Sequence, residues 1–255
     1  MTAKATTKRT AKPASTPCQR CPLRKNPHFR AFETEELAFV QSFKSGEMTA
    51  QAGTTVLLDG NNSPHLFTVL NGWAVRYKSF PDGKRQVLNF ALPGDLLGLQ
   101  SSLFNQMTHS VEALTDVTLC VFPRQRIWEL YQGYPGLAFD VTWLASREES
   151  ILAEHLANVG QRPAFARIAY MIVSLFHRAR RAGLVERNTL VLPVTQEHLA
   201  DAMGLSIAHT NKTLKRLRAT GWLEWKRQEL IINDEAKLTE VAEYDPVERT
   251  PRPFI

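Results

Sequence analysis

The sequence has 255 residues, of which 44% are hydrophobic, and a formal net charge of +6. This length and composition predict two compact domains, each with its own core, and exclude a disordered chain. The three cysteines are too few, and odd in number, for a secreted protein held together by disulfides, so we expect a cytoplasmic protein. We expect neither a secretion signal nor a membrane span, because the longest apolar run, residues 168–176, is too short to cross a bilayer.

The positive charge is concentrated at the N-terminus. The first 30 residues hold eight of the 31 Lys and Arg residues and no acidic residue, whereas the rest of the chain is close to neutral. Residues 1–16 consist mainly of Thr, Ala and Lys with little to bury, so we predict a disordered basic tail. Such a tail favours solubility; a loose phosphate-binding arm is the alternative function.

Two cysteines follow this tail as a C-x-x-C pair, Cys18 and Cys21, and the third, Cys120, lies about a hundred positions later. Thiols at this spacing are candidate metal ligands, or a redox pair that closes a disulfide. Cys120 lies between Leu119 and Val121 in a predicted strand, where a cysteine is more often part of the core. The residues alone leave these alternatives open.

Short apolar runs alternate with turn residues from about residue 36 to residue 123, a pattern typical of a small antiparallel β-barrel. Asp82-Gly83 lies between two of these runs and predicts a hairpin, since glycine tolerates the positive φ of a tight turn. We therefore predict an all-β domain over residues 17–135, with the cysteine pair in its N-terminal segment.

A long helix is predicted over residues 136–160, where apolar side chains recur at helical spacing. This stripe is either packed on the barrel or paired with a second copy of the chain, and its regular spacing favours a dimer. Gly160 is expected to end the helix, and Pro163 suits the start of the next one. The predicted dimer contacts are Leu137, Val141, Leu144, Leu152, Leu156 and Val159.

Residues 161–242 carry a helix-turn-helix pattern. Thr195 is a good N-cap, Gly204 suits the turn, and a second helix is predicted to begin at about Ser206. Two short strands around a basic turn follow as a predicted wing, and residues 243–255 are assigned to a C-terminal tail. The polar and basic residues of the second helix and wing can donate to phosphates and base edges, and the predicted DNA contacts are Ser206, Ile207, His209, Asn211, Lys212, Lys215, Arg216 and Arg227.

The order of barrel, long helix and winged helix-turn-helix resembles the CRP/FNR family of bacterial transcription regulators. The run "LPGDLLGLQSSLFNQMTHSVEALTDVTLCVFP" is similar to the FNR branch of that family. The resemblance implies an α+β protein with a jelly-roll sensor domain like those that bind cyclic nucleotides. It further implies a cytoplasmic homodimer on double-stranded DNA, with RNA polymerase as a partner if the protein is an activator.

The resemblance also suggests a role for the cysteines. Oxygen-sensing FNR proteins bind a [4Fe-4S] cluster through an N-terminal cysteine group and one barrel cysteine, and Cys18, Cys21 and Cys120 fall at matching places. Pro27 stands where the fourth ligand is expected, and His28 is the candidate replacement. A thiol switch, or structural thiols beside an unidentified effector, are the alternatives.

Two departures from the family limit what is carried over. Cyclic-nucleotide-binding members hold the phosphate with a Gly-Glu pair and an arginine, whereas this chain has Gly94-Asp95 and no arginine around Thr108–Ser110, so we do not expect cAMP binding. The recognition helix has Ala208 and Lys212 where many members have Glu and Arg, so the usual DNA half-site is not assumed. Thr210 and Thr213 replace the usual Val or Ile, and their hydroxyls can bond back to the preceding turn.

Function as an enzyme is not expected, because the sequence has no phosphate loop, nucleophile elbow or HExxH motif. The alternative to a DNA-binding regulator is a barrel-containing docking or signalling module without sequence-specific DNA binding.

Overall fold

The computed structural model describes residues 15–245 and 251–255. The predicted disordered tail covers residues 1–16, of which residues 1–14 lie outside the described residues. Thr16 is described, and its N–H donates to Glu47 Oε1 at 2.9 Å, so the folded domain begins slightly earlier than predicted. Within the described ranges, no helix is both long and apolar enough to cross a membrane.

The N-terminal domain forms two four-stranded antiparallel sheets with strand orders β1-β8-β3-β6 and β2-β7-β4-β5. Phe67 and Leu119 of the first sheet and Val111 of the second belong to one buried core, as in a jelly roll. The strands are β1 (Gly46–Ala50), β2 (Thr55–Leu57), β3 (His65–Asn71), β4 (Ala74–Ser79), β5 (Arg85–Ala91), β6 (Leu96–Leu97), β7 (Ser110–Ala113) and β8 (Val117–Pro123), and the helices are α1 (Thr34–Phe43), α2 (Leu99–Phe104) and α3 (Ile127–Gly133).

The predicted hairpin is present between β4 and β5. The N–H of Phe80 donates to the carbonyl of Lys84 at 2.9 Å, and Gly83 has a φ of +81°. The left-handed φ explains the glycine, although the loop has three residues rather than two.

Helices α1 and α2 correct the all-β prediction for this domain. Helix α1 begins with a capping box, in which the N–H of Glu33 donates to Glu36 Oε2 at 2.9 Å. Phe39, Val40 and Phe43 then recur at helical spacing on its buried face.

The predicted long helix is α4 (Pro135–Gln161), which is longer than expected. Gly160 lies inside it and does not end it. The helix stops because Pro163 restricts the preceding Arg162 to an extended backbone, with φ −80° and ψ 142°.

The C-terminal domain has the predicted winged helix-turn-helix. Its sheet has the order β11-β12-β10-β9, and residues from its helices share a buried core with Val75 and Phe90 of the N-terminal domain. The elements are α5 (Ala164–Arg181), β9 (Val185–Glu186), β10 (Thr189–Val191), α6 (Gln196–Met203), α7 (Ile207–Ala219), β11 (Leu223–Lys226), β12 (Glu229–Ile232) and α8 (Glu235–Ala242).

Residues 251–255 do not form a free tail. They return to the N-terminal domain, where Phe29 and Arg252 form a parallel β-bridge. Phe254 and Ile255 are buried there, at 3% and 5% exposure.

Candidate DNA-binding surface and cysteine cavity

The helix-turn-helix is fixed by local hydrogen bonds at its helix ends. Thr195 Oγ1 accepts from the N–H of His198 at 3.1 Å, and Ser206 Oγ accepts from the N–H of His209 at 3.2 Å. Gly204 closes α6 with a φ of +62°, a conformation that other residues adopt at a cost. These caps set the angle at which α7 leaves the domain.

The outward face of α7 is polar and basic. All eight predicted DNA contacts are exposed, seven on α7 or its N-cap and Arg227 in the wing turn. Arg216 also lies over the Phe165 ring, with its guanidinium carbon 5.4 Å from the ring centroid. The assignment of these residues to DNA stays a prediction.

The inward face of α7 differs from our expectation at one position. Thr210 and Thr213 are buried, as expected for residues in place of Val or Ile. The hydroxyl of Thr210, however, has no hydrogen-bond partner among the described residues, so it does not bond back to the preceding turn.

Cys18, Cys21 and Cys120 line one cavity. The N–H of Cys18 donates to Gln41 Oε1 at 2.6 Å, which fixes the cysteine pair on α1. Cys120 lies in β8, opposite Thr68 of β3. Three thiols from distant parts of the sequence therefore face a single space.

Burial keeps these thiols protonated. It raises the pKa of Cys18 and Cys21, and it raises the pKa of Cys120 to about 12. Lys44 acts in the opposite direction: its ammonium group, which donates to Glu47 Oε1 at 2.7 Å, lowers the thiol pKa values. Thiols with raised pKa values are less reactive at neutral pH, both as nucleophiles and as metal ligands.

The three thiols surround the cavity but do not form a metal site by themselves. Within residues 15–245 and 251–255, no group of three or more His, Cys, Asp or Glu is placed to hold a metal ion. Thiolates are the protein ligands of iron-sulfur clusters, so these cysteines are the residues that would hold one. His28 does not line this cavity; its exposed side chain faces a different groove, near Tyr244, so the structure does not support it as the fourth ligand.

Residues 15–33, which precede α1 and carry Cys18 and Cys21, are called the cysteine segment. This segment contacts both α4 and α5. Arg30 Nε donates to Asp140 Oδ2 in α4 at 2.9 Å, and the same guanidinium group pairs with Glu36 in α1. Asn26 Nδ2 donates to the carbonyl of Arg181 at the end of α5, at 2.8 Å. A displacement of this segment would therefore reach α4 and the C-terminal domain directly.

Asp95 forms ion pairs with three arginines from other parts of the chain, which the sequence did not predict. Its carboxylate accepts from Arg178 of α5 at 3.1 Å, Arg252 at 2.7 Å and Arg147 of α4 at 3.3 Å. Burial alone would raise the pKa of Asp95, but these guanidinium groups outweigh it and hold the pKa far below its usual value. The preceding Gly94 is required because its φ is +89° and a Cβ there would overlap the Phe29 ring.

The predicted dimer contacts do not share one environment. Leu137 and Val141 are buried in the chain's own core beside α1 and α3, so they are not available to a second copy, and this part of the expected seam is corrected. Val159 is half-buried against the C-terminal domain. Leu144 is buried but lines an open groove together with Leu152 and Leu156, which are 37% and 74% exposed.

Comparisons with known proteins match both domains. A family model described as a cyclic nucleotide-binding domain matches residues 47–134, and one described as a Crp-like helix-turn-helix domain matches residues 166–241.

Curated relatives cover most of the chain. The transcriptional activator protein FnrL of Cereibacter sphaeroides is 29% identical over 230 residues, which are 88% of this chain and 91% of FnrL. The nitrogen fixation regulation protein FixK of Bradyrhizobium diazoefficiens is 27% identical over 226 residues, 88% and 93% of the two chains. The solved structure of FixK2 from Bradyrhizobium japonicum is 20% identical and superposes with a TM-score of 0.71 over 78% of this chain and 98% of that one, which shows a common fold.

Proposed function

The chain belongs to the CRP/FNR family of bacterial transcription regulators, and on that premise we propose that it acts in the cytoplasm as a homodimer on a two-fold symmetric DNA site. Its family shows that the protein is a DNA-binding transcription regulator and not an enzyme.

The exposed face of α7 carries the DNA-binding proposal. Lys212 and Lys215 lie on it without an ion-pair partner among the described residues, so their charges are available to DNA. Two such helices in a dimer would enter successive major grooves about 34 Å apart. If the protein activates transcription, as the names of its relatives suggest, RNA polymerase is the further partner.

A gel-shift titration tests this proposal. The protein's own promoter region should bind more tightly than scrambled DNA of equal length and composition, in the presence of excess competitor. Equal affinity for the two DNAs would favour the docking module, which has no preferred site.

The exposed part of α4 supports the dimer. Leu152 and Leu156 are large apolar side chains on the surface of one chain, on the side of α4 that faces the open groove. Pairing two copies of α4 there would bury both residues, as in a coiled-coil seam.

The cysteine cavity supports a signal-sensing role. We propose that Cys18, Cys21 and Cys120 hold a [4Fe-4S] cluster, because all three thiols line one cavity although Cys120 lies about a hundred positions after the pair in the sequence. Such a cluster is sensitive to oxygen and would supply the response to it. The chain's own residues transmit the change, since Arg30 and Asn26 join the cysteine segment to α4 and α5.

The spectrum of protein purified without oxygen tests the cluster. Brown protein that contains iron and absorbs broadly near about 400 nm is expected for thiolate-bound iron-sulfur clusters. Changing Cys18, Cys21 or Cys120 to Ser should remove most of the iron and colour, whereas His28→Ala should leave both. Colourless protein without iron, even after reconstitution, would contradict the cluster and leave a thiol switch or another effector.

Cyclic AMP is not the expected effector. This chain has no arginine around Thr108–Ser110 to pair with the phosphate, and Asp95 in the corresponding loop is already paired with arginines of its own chain.

A further inference from the structure

The last residues described, 251–255, make contacts that a free tail would not make. The N–H of Arg252 donates to the carbonyl of His28 at 2.8 Å, and the N–H of Arg30 donates to the carbonyl of Arg252 at 2.9 Å. These two bonds attach the backbone of residues 251–255 to the cysteine segment. We call residues 251–255 the strap.

The side chain of Arg252 is the polar anchor of the strap. Its guanidinium group is only 2% exposed and donates to the carbonyl of Gly94 at 2.8 Å and to Asp95 Oδ1 at 2.7 Å. It also lies over the Phe29 ring, 5.1 Å from the centroid. Burying a guanidinium group is costly unless it is paired and hydrogen-bonded, so this is a specific seat and not a chance contact.

The apolar residues of the strap form part of the wall of the cysteine cavity. The Phe254 ring packs on Phe32 and Phe29, with centroid separations of 4.8 and 5.3 Å. Thr68 Oγ1 donates to the carbonyl of Ile255, and Thr68 lies opposite Cys120 in the sheet. Phe254 and Ile255 therefore line the same cavity as Cys120.

The other end of this part of the chain is anchored on the C-terminal domain. The Tyr244 ring lies 5.5 Å from Tyr170 and 5.1 Å from His177, both on α5. The strap and α5 also meet at Asp95, whose carboxylate accepts from both Arg252 and Arg178.

We propose that the strap closes the cysteine cavity and couples its state to the DNA-binding domain. Closure stands on the contacts of the strap alone, whereas coupling to a signal rests on the proposed function. In the closed state the strap keeps solvent from Cys120. When the contents of the cavity change, the positions of Phe254 and Ile255 change with them. The change reaches α5 because Arg252 of the strap and Arg178 of α5 share the Asp95 carboxylate.

Thiol alkylation in reduced, metal-free protein tests closure. Mass spectrometry should show Cys120 modified by iodoacetamide at least ten times faster in Phe254→Ala, and in a chain ending at Asp245, than in the parent. Pro251→Ala is the matched control, since Pro251 is exposed, and it should match the parent. Circular dichroism checks that each variant is folded, and Cys21, which is already half-exposed, serves as an internal reference. An unchanged Cys120 rate in folded variants would overturn closure, whether or not a cluster exists.

DNA affinity tests coupling. The ratio of dissociation constants for cluster-loaded and air-treated protein should fall toward 1 in Arg252→Gln, whereas Pro251→Ala should retain the parent ratio. An unchanged ratio in Arg252→Gln would overturn coupling through the strap. A parent that binds no iron would overturn the proposed cluster and, with it, coupling to that signal, while the alkylation result would still decide closure.

Discussion

At the scale of single residues, Asp95 brings together segments that are far apart in the sequence. Arg147, Arg178 and Arg252 come from α4, α5 and the strap, and all three guanidinium groups reach its carboxylate. Asp95→Asn would leave three positive charges around a neutral side chain. Because removing one partner of a buried ion pair is costly, we expect the free energy of unfolding at neutral pH to fall by about 3–5 kcal/mol. Urea unfolding measures this loss, and Asp82→Asn, on an exposed loop, should leave the stability nearly unchanged.

The same ion pairs predict a pH dependence. The pKa of Asp95 in the folded protein lies well below the value of about 3.9 expected in an unfolded chain. Its stabilising contribution is therefore present above about pH 4 and declines as the pH falls further, because the unfolded state then takes up a proton. The stability difference between the parent and Asp95→Asn should shrink from pH 7 to pH 3. A difference that stays constant over this range would contradict the assignment of the charged state.

On α7 and the wing, we predict different roles for two cations. Lys212 lies on the exposed face of α7. In Lys212→Ala, the difference in binding free energy between the specific and an altered DNA site should therefore decrease, by about 1–3 kcal/mol if Lys212 contacts a guanine. Arg227 lies in the wing turn, where a phosphate contact is expected, so Arg227→Ala should weaken all DNA sequences alike and flatten the salt dependence by about one unit. Fluorescence anisotropy titrations at several salt concentrations measure both effects. Equal changes of specificity in the two variants would contradict this division.

The outward face of α7 could be predicted from the sequence because its signals are local. Thr195, Gly204 and Ser206 mark helix ends within a dozen residues, and helical spacing then sorts exposed from buried positions. The Asp95 cluster could not be predicted in this way, since Asp95 and Arg178 are 83 positions apart. A charged residue gives no sign in the sequence of which distant charge it will meet.

At the scale of elements, α4 serves two purposes along its length. Its N-terminal half buries Leu137 and Val141 in the chain's own core, whereas its C-terminal half leaves Leu152 and Leu156 on the surface. An apolar stripe is the same in both cases, so the sequence pattern alone does not separate an internal contact from a dimer contact.

The dimer prediction therefore concentrates on the C-terminal half of α4. Leu156→Glu should weaken the dimer, because a carboxylate in the seam must be desolvated without a partner, at a cost of a few kcal/mol. Sedimentation at micromolar concentrations measures the dimer fraction. Ser150→Glu places the same charge at an exposed position about 200° around the helix from Leu152, and it should remain dimeric. If the parent itself sediments as a monomer, the predicted dimer contact through α4 is wrong.

Helix α1 and the strap were not predicted from the sequence. Helix α1 was not predicted, although its capping residues, Glu33 and Glu36, are visible in the sequence, because the region from about residue 36 was assigned to an all-β domain. The strap was missed because it has no periodic pattern and its seat lies far away in the chain: Ile255 bonds to Thr68, 187 positions earlier.

At the scale of the whole molecule, the cysteine segment lies between the two domains. Arg30 joins it to α4 through Asp140, and Asn26 joins it to the end of α5. The sequence predicts the order of the elements along the chain, but not that one short segment contacts both α4 and α5.

This position predicts a variant that separates sensing from response. Arg30→Gln removes the ion pair with Asp140 but leaves the cysteines in place, so the iron content should match that of the parent. The ratio of DNA affinities between the cluster-loaded and air-treated states should nevertheless decrease, because α4 no longer follows the segment. Arg20→Gln, an exposed change in the same segment, is the control. A loss of iron in Arg30→Gln, or an unchanged ratio, would contradict this path.

The cluster around Asp95 also limits how this sensor can evolve. Each of its three arginines shares one carboxylate with the others, so the effect of losing one depends on which of the others remain. A mutation that adapted this loop to a phosphate-containing effector would first have to replace Asp95, and would remove the carboxylate that all three arginines share before any gain in binding. In ancestral or laboratory lineages, Asp95 should therefore change only together with Arg178 or Arg252. Such paired substitutions are the expected first step in any change of the effector that this domain binds.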